Sequence, residues 1–240
     1  PGICYRLWSR EQESGMPASR IPEILQSDLA PLALELAAWG VRNPQELDWI
    51  DAPPEAGYAE AQTLLRRLHA LGEDGSITEE GRAMSDLGVH PRLARMSRRA
   101  ADLDLGLHGL ACDLAALLQE QASSSAPVGG TVTDTVSLLP RLESLLAASR
   151  KGGISGAART PEDRVTQRAD RLRRIAGATE SVRGELHRAG LLLAYAFPDR
   201  VGRRRGAGRF LLSGGRGVYI PERELLSREE YVVAADIDDQ

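Results

Sequence analysis

Arginines spaced along one predicted helix are the residues best suited to chemistry with a partner. Arg164, Arg168 and Arg171 recur at i, i+4 and i+7, so their guanidinium groups share one helical face. A guanidinium group offers phosphate a planar fork and stacks on bases, so this pattern is typical of binding to a nucleic-acid backbone. Residues 203–205, also arginines, precede a β-prone segment and could continue the same track. The predicted nucleic-acid-binding residues are Arg164, Arg168, Arg171, Arg174, Arg203, Arg204 and Arg205.

A plainer interpretation assigns the helix arginines to surface salt bridges. Glu162, Asp163 and Asp170 lie on the same predicted helix, where pairs of opposite charge three or four residues apart are common. The local charge favours a polyanion partner instead, because residues 150–209 hold fifteen bases against six acids in a chain whose total charge is −4. The spacing alone leaves both interpretations open.

The near absence of lysine excludes one class of nucleotide site. Only Lys151 is a lysine among the 30 basic residues, and Gly152 follows it. A P-loop needs Ser or Thr after its Gly-Lys pair, so the chain contains no P-loop. Schiff-base chemistry and lysine-dependent phosphoryl transfer are confined to this one residue in a glycine-rich turn.

Histidines, carboxylates and tryptophans give weaker signals. The histidines form no catalytic or zinc-binding motif, so structural roles are predicted for His69, His90, His108 and His187. The acidic run at 236–239 lacks the glycine and the terminal glutamate of a calcium loop. Trp39 closes an apolar helical stripe, which predicts core packing rather than base stacking. We expect no catalytic residue, no metal site and no bound cofactor in this chain.

Chain length and cysteine usage bound the class of protein. A chain of 240 residues allows one large domain or two to three small ones, and it can bury a core without disulfides. Cys4 and Cys112 lie in different segments with no second metal ligand nearby, which favours a reducing compartment. No apolar run reaches about 18 residues and no basic-then-apolar leader opens the chain. We therefore expect a cytoplasmic protein without a membrane partner.

Hydrophobic patterns predict a short strand and then a small helical unit near the N-terminus. Alternation over residues 3–8 predicts the strand. Apolar spacing of three and four predicts helices over 22–39, divided by Pro31 into two short ones, and over 59–71. A β-prone turn follows, and Thr78 is the predicted N-cap of the next helix. This order of elements is typical of a winged helix.

The rest of the chain predicts a helical bundle followed by strands. His90 and Pro91 mark the boundary, because a residue before proline avoids the α region. Five stretches with helical periodicity follow, interrupted by loops rich in Gly and Ser at 123–130 and 151–156. Three β-prone runs then lie at 209–212, 217–220 and 231–235. These runs predict the opening part of a β domain.

Several segments resemble DEAH-box helicases in their order and spacing. Residues 1–9 (PGICYRLWS) are similar to the strand after the last conserved helicase motif, and residues 22–29 (PEILQSDL) resemble the start of the winged-helix domain. Residues 71–82 with 90–94 resemble the junction between the winged helix and the ratchet-like bundle. The segments similar to the bacterial HrpB branch of the family are 193–200, 203–206 and 210–217. One departure is at 119–123 (QEQAS), where the family pattern has a charged Arg-Asp pair.

This resemblance implies a mainly α fold, in which a winged helix is followed by a ratchet-like helical bundle and the first strands of an OB-like β domain. It places the motor of the protein, with its ATP and Mg²⁺, in RecA-like domains outside this chain. The implied divisions are 1–20 as the end of the second RecA-like domain and a connector, 21–90 as the winged helix, 91–197 as the bundle, and 198–240 as a partial OB-like domain.

The leading functional prediction is an accessory region of an ATP-dependent RNA helicase. Such a region guides single-stranded nucleic acid and couples it to an ATPase motor in the same parent chain. We expect no catalytic activity from this chain alone, although the parent resembles an ATP hydrolase. The predicted partners are therefore single-stranded nucleic acid, either RNA or DNA, and the RecA-like motor domains. The alternative is a protein-interaction module built on the winged helix and the bundle, because fold alone does not settle function.

Overall fold

The chain folds into two helical units and a small sheet. The computed structural model describes residues 2–3, 5–15, 21–103, 105–123, 137–149, 160–179 and 183–237. Each unit buries its own apolar side chains, which gives three separate cores. No helix in the described ranges is long and apolar enough to cross a membrane. The mainly α fold that the sequence predicts is confirmed.

The N-terminal segment leaves its apolar side chains in solvent. Ile3, Tyr5 and Leu7 are exposed, and the described residues of this segment pair with no other strand. Helix α1 (Arg10–Ser14) follows, opened by a capping box between Ser9 and Gln12. The strand expected from the alternating pattern is therefore not formed here, because a lone strand has no neighbour with which to pair.

Three helices and a β-bridge form the first unit. The helices are α2 (Ala30–Ala38), α3 (Glu55–Arg67) and α4 (Glu79–Ser85). Leu71 and Ile77 pair across the turn between α3 and α4 and form the wing. Thr78 caps α4 as predicted, since its hydroxyl accepts the Gly81 N–H at 2.9 Å. The order of elements is that of a winged helix.

Residues 22–39 form two short helices as the sequence predicts, a 3-10 helix at Glu23–Leu25 and then α2. Pro31 lies in the first turn of α2 rather than between the two helices, and its missing N–H leaves no helical hydrogen bond unmade there. The expectation for Trp39 is wrong. Trp39 is 78% exposed rather than packed in the core. The buried stripe of α2 runs through small residues, including Ala33 and Ala37. Trp39 lies four residues after the exposed Glu35 and therefore on the same face as Glu35, which is directed away from the buried stripe.

Five helices form the second unit, with α6 at its centre. They are α5 (Pro91–Leu103), α6 (Leu105–Ser123), α7 (Leu139–Ser149), α8 (Pro161–Ala176) and α9 (Ala189–Ala196). Helix α6 packs against the other four and buries Leu107, Leu110 and Leu114 completely. The loops predicted at 123–130 and 151–156 lie outside the described residues, apart from Ser123 at the end of α6.

Four antiparallel strands form the sheet, in the order β3–β2–β1–β4. They are β1 (Val201–Gly206), β2 (Arg209–Leu212), β3 (Gly217–Tyr219) and β4 (Tyr231–Val233). One face is apolar, and its buried residues Phe210, Ile220 and Val232 pack with Leu226. The sequence predicts β2, β3 and β4 but not β1, because arginine and glycine make up most of that strand. Pairing with β2 on one side and β4 on the other makes it a strand.

A short segment between α9 and β1 joins the bundle to the sheet. Arg92 of α5 binds the Asp199 carboxylate with both terminal nitrogens, at 2.5 Å for Nη1–Oδ1 and 2.9 Å for Nη2–Oδ2. The Asp199 carbonyl accepts the N–H of Gly214 from the β2–β3 turn. On the other side, Nδ1 of His90 accepts the Arg92 N–H, and its Nε2 lies 3.1 Å from the Asp28 carboxylate. These contacts connect all three units.

Candidate nucleic-acid interface

Helix α8 carries four of the predicted binding arginines. Thr160 and Asp163 form a capping box at its start, and Gly177 ends it in the left-handed region. The side chains of Val165 and Leu172 are buried against the bundle. The opposite side of the helix presents arginines to solvent.

Two of these arginines share one buried carboxylate. The Nε atom of Arg164 lies 2.8 Å from Oε1 of Glu120 on α6, and Nη1 of Arg168 lies 3.8 Å from Oε2 of the same residue. Glu120 is only 6% exposed, whereas half of the Arg164 side chain is in solvent. The carboxylate therefore offsets about one of the two guanidinium charges. Of the acids in the plainer interpretation, Asp163 caps the helix and Asp170 pairs with a buried arginine.

The remaining arginines of α8 divide between core and solvent. Arg173, which the sequence pattern did not single out, is buried and pairs with Asp113 and, at 2.6 Å, with Asp170. Arg171 and Arg174 are exposed, and neither forms a salt bridge with a residue in the described ranges. The charge of α8 that is available to a partner is therefore concentrated in its C-terminal half.

The hairpin of β1 and β2 holds a dense basic cluster. Its members, called here the arginine hairpin, are Arg203, Arg204, Arg205 and Arg209. All four are exposed, and none forms a salt bridge with another residue that the structure describes. The turn depends on Gly208 at φ +64°, where a Cβ would lie 2.2 Å from the Ile220 carbonyl oxygen. The hairpin thus projects a set of guanidinium groups to which no acidic side chain in the described ranges is bound.

The sheet also exposes a face that the sequence pattern did not reveal. The register places Leu211, Arg203 and Tyr231 side by side across β2, β1 and β4, and it places Tyr219 opposite Arg209. Directly paired residues share a face, so these five residues, called here the outer face, lie opposite the apolar core of the sheet. Tyr219 is 62% exposed and Tyr231 is 56% exposed. The alternation of buried and exposed residues along β2 is the signal that could have found this face.

The seven predicted arginines fall into two groups on different units. Helix α8 packs against α6 and α7, whereas β1 packs against β2 and β4. The structure brings Arg164 and Arg168 together on Glu120, and it brings Arg203, Arg204 and Arg205 together on β1. The predicted arginines therefore lie on two structural units, the bundle helix α8 and the sheet strand β1.

Three of the histidines lie in contacts within the fold, His90 with Asp28 and Arg92 as described above, and His69 and His108 as follows. His69 stands at φ +59° after α3, and its carbonyl accepts the Thr78 hydroxyl at 2.7 Å. His108 is buried in the bundle, and this burial lowers its pKa. No group of three His, Cys, Asp or Glu within the described part of the chain could hold a metal ion.

Comparison with known proteins relates the chain to helicases. A family model described as helicase associated domain (HA2), winged-helix, matches residues 61–89, which include part of α3, the wing and α4. The ATP-dependent RNA helicase HrpB of Escherichia coli (strain K12) is 33% identical over 237 residues, which is 98% of this chain and 26% of that protein. The crystal structure of Escherichia coli DEAH/RHA helicase HrpB matches 94% of this chain with a TM-score of 0.70 at 30% identity. The predicted resemblance to the HrpB type of DEAH-box helicase is confirmed.

The chain spans about a quarter of the length of these relatives, since it covers 26% of the HrpB sequence and 25% of the crystallised chain. The ATP-dependent RNA helicase HrpA homolog of Haemophilus influenzae is 36% identical over 102 residues, which is 40% of this chain and 8% of that protein. The similarity to HrpB thus runs through both helical units and the sheet, whereas the similarity to the HrpA homolog is partial.

Proposed function

We propose that this chain is the accessory nucleic-acid-binding region of a longer HrpB-type helicase. In this role it guides a single strand and couples the strand to an ATPase motor located elsewhere in the parent protein. ATP and Mg²⁺ belong to the RecA-like domains of that parent, because the single lysine of this chain lies outside any P-loop. The division into 1–20, 21–90, 91–197 and 198–240, with the last a partial OB-like domain, belongs to the same proposal.

The arginine hairpin is the observation that carries the proposal. Its four guanidinium groups lie on two paired strands, and no carboxylate among the described residues is bound to them. The four like charges lie within one short hairpin without a bound carboxylate among the described residues, so a polyanion that contacts several of them lowers their mutual repulsion. Contacts to phosphates carry no sequence information, which suits a strand that must move past its binding site.

Helix α8 supplies a second basic surface of lower effective charge. Glu120 offsets part of the charge of Arg164 and Arg168, so these two residues meet a strand as a partly neutralised pair. Arg171 and Arg174 lack such a partner among the described residues and are the better phosphate ligands of this helix. The hairpin is therefore expected to contribute more to affinity than α8.

The proposal is tested by measuring the affinity for a fluorescent single strand over a series of salt concentrations. RNA is the strand of choice, because the relatives are named RNA helicases. For single strands, log K falls against log salt with a slope of about −0.7 for each phosphate neutralised. Replacement of Arg203, Arg204 and Arg205 by glutamine should therefore make the slope about 2 less negative. The affinity should fall by a similar factor for strands of unrelated sequence.

A second triple variant separates these contacts from the change in net charge. Arg10, Arg42 and Arg67 are exposed and lie in α1, in the α2–α3 connection and in α3. Their joint replacement by glutamine removes the same three charges, and it should leave the salt slope close to that of the unmodified chain. Equal flattening of the slope in both triple variants would contradict a role for the hairpin.

A protein-interaction module is the second candidate function, because Trp39 and Ile50 place large apolar side chains in solvent on the winged-helix unit. Exposed apolar side chains are common at protein contacts when they form a patch. The absence of saturable RNA binding at low salt would favour this alternative. Hydrolysis of ATP by this chain alone would contradict the proposed separation of motor and accessory region.

A further inference from the structure

We propose that the outer face of the sheet stacks the bases of a single strand whose phosphates the arginine hairpin holds. This inference rests on the proposed function and names the surface that contacts the part of the strand other than its backbone. The outer face consists of Arg203, Arg209, Leu211, Tyr219 and Tyr231.

The exposure of the two tyrosines distinguishes this face from ordinary sheet packing. Tyr219 and Tyr231 each keep more than half of their surface in solvent, although a tyrosine ring is a large apolar group. Val233, two residues further along β4, packs against the bundle core, so the bundle covers only the far end of this side of the sheet. Every base has a π-face, and stacking on an aromatic ring tolerates any sequence. Exposed tyrosines therefore suit a strand that moves.

The charge of the face selects its occupant. The outward positions of the four strands are Val201, Arg203, Arg209, Leu211, Gly217, Tyr219, Tyr231 and Val233. These positions include two arginines and no carboxylate. Two copies of such a face would repel each other, whereas a polyanion with aromatic bases complements both the charge and the rings. The face therefore fits a single-stranded nucleic acid better than a second copy of this chain.

The dimensions of the face also fit a short stretch of a strand. Three strand spacings of about 4.8 Å separate β3 from β4, and the register offsets Tyr219 from Tyr231 by two residues, or about 7 Å along the strands, which puts the two residues about 16 Å apart. This distance exceeds the width of one base, so the two rings would stack different bases of the same strand. Gly217 lies beside Leu211, and a Cβ added to Gly217 would have no neighbouring atom within 4 Å. This open space leaves room for a base to lie flat on the sheet.

Abasic strands separate base contacts from phosphate contacts in the complete chain. A single strand and an abasic strand of equal length and charge are titrated under the same salt conditions. The normal strand should bind at least about fivefold more tightly for each stacked base. Tyr219→Ala combined with Tyr231→Ala should reduce the ratio of the two affinities to about one. Tyr219→Phe combined with Tyr231→Phe should preserve the ratio, because stacking needs the ring and not the hydroxyl.

Tyr5→Ala is the matched control, since it removes an exposed tyrosine from another part of the chain and should not change the ratio. An unchanged thermal midpoint in each variant shows that it folds. Equal binding of both strands by the unmodified chain, or an unchanged ratio in the double alanine variant, would overturn the inference and leave salt-dependent binding intact. Failure of either strand to bind at low salt would overturn the proposed function as well. If the unmodified chain sediments as a dimer and the double alanine variant sediments as a monomer with unaffected RNA binding, the face belongs to a second copy of the chain instead.

Discussion

Replacement of Asp199 by asparagine should weaken the joint between the bundle and the sheet. Asparagine has the same size but lacks the charge and the second acceptor oxygen. Arg92 therefore loses its counter-charge and one of its two hydrogen bonds to this side chain. The side chains of Arg92 and Asp199 are 10% and 21% exposed, so water replaces the lost contacts only in part.

The expected decrease in the free energy of unfolding is about 2 to 3 kcal/mol. Removal of one member of a buried ion pair typically costs about 3 to 5 kcal/mol. The smaller value follows because Arg92 keeps two other contacts. Its Nη1 donates to the Ala196 carbonyl at 3.1 Å, and its guanidinium carbon lies 5.2 Å from the centroid of the Phe197 ring.

Urea unfolding followed by circular dichroism measures this cost, and a double-mutant cycle assigns it to the pair. Arg92→Met is the second substitution, because methionine keeps an unbranched stem without the charge. In that background, Asp199→Asn should cost less than about 1 kcal/mol, since the ion pair is already absent. An equal cost of Asp199→Asn in both backgrounds would refute the reasoning.

Acid titration gives an independent check on the same pair. Burial raises the pKa of Asp199, but the hydrogen bonds and the charge of Arg92 outweigh burial, so the pKa lies below its ordinary value of 3.8. A carboxylate with a lowered native pKa stabilises the fold above its unfolded pKa, and this stability is lost as the pH falls through the native pKa. The unmodified chain should therefore lose more stability below about pH 4 than Asp199→Asn does.

Other substitutions test the packing elsewhere by the same unfolding measurements. Asp28→Asn should lower the free energy of unfolding by about 1 kcal/mol, because the hydrogen bond from His90 lowers the pKa of this exposed carboxylate to about 2 and solvent screens part of the interaction. In the unmodified chain, the contribution of Asp28 to stability should be lost as the pH falls from about 4 to about 2. Gly81→Ala should lower the free energy of unfolding by about 2 kcal/mol, since the new Cβ would lie 2.2 Å from a backbone carbonyl oxygen. Gly190→Ala is the matched substitution in open space, because its Cβ meets nothing within 4 Å, and it should raise the free energy of unfolding by about 0.5 kcal/mol. Burial raises the pKa of the Cys112 thiol to about 11, so the thiol should resist alkylation at about pH 8 until urea unfolds the chain. Mass mapping after alkylation measures this, and equal labelling of the folded and the unfolded chain would contradict it.

The sequence predicts well those features of the fold that depend on interactions within one helical turn. Thr78 caps α4 through a contact three residues long, and Pro91 starts α5 because its ring restricts the residue before it. Such signals need no knowledge of neighbouring elements. The arginines of α8 and β1 were also found from composition and spacing, because guanidinium chemistry is a property of the residue itself.

Features that depend on distant partners could not be predicted in this way. Glu120 and Arg164 are separated by 44 residues in the chain, so their pairing follows only from the packing of α6 against α8. The strand β1 is polar and forms because β2 and β4 lie on either side of it. Tyr219 and Tyr231 come onto one face only through the register of four strands.

The contacts that run from Asp28 through His90 and Arg92 to Asp199 have a mechanical consequence. These four residues run from the start of α2 to the segment that precedes β1, and their contacts lie at one end of the bundle, where α5 begins and α9 ends. A displacement of the sheet therefore reaches the winged helix through the first turn of α5 and does not have to pass along the length of the bundle helices.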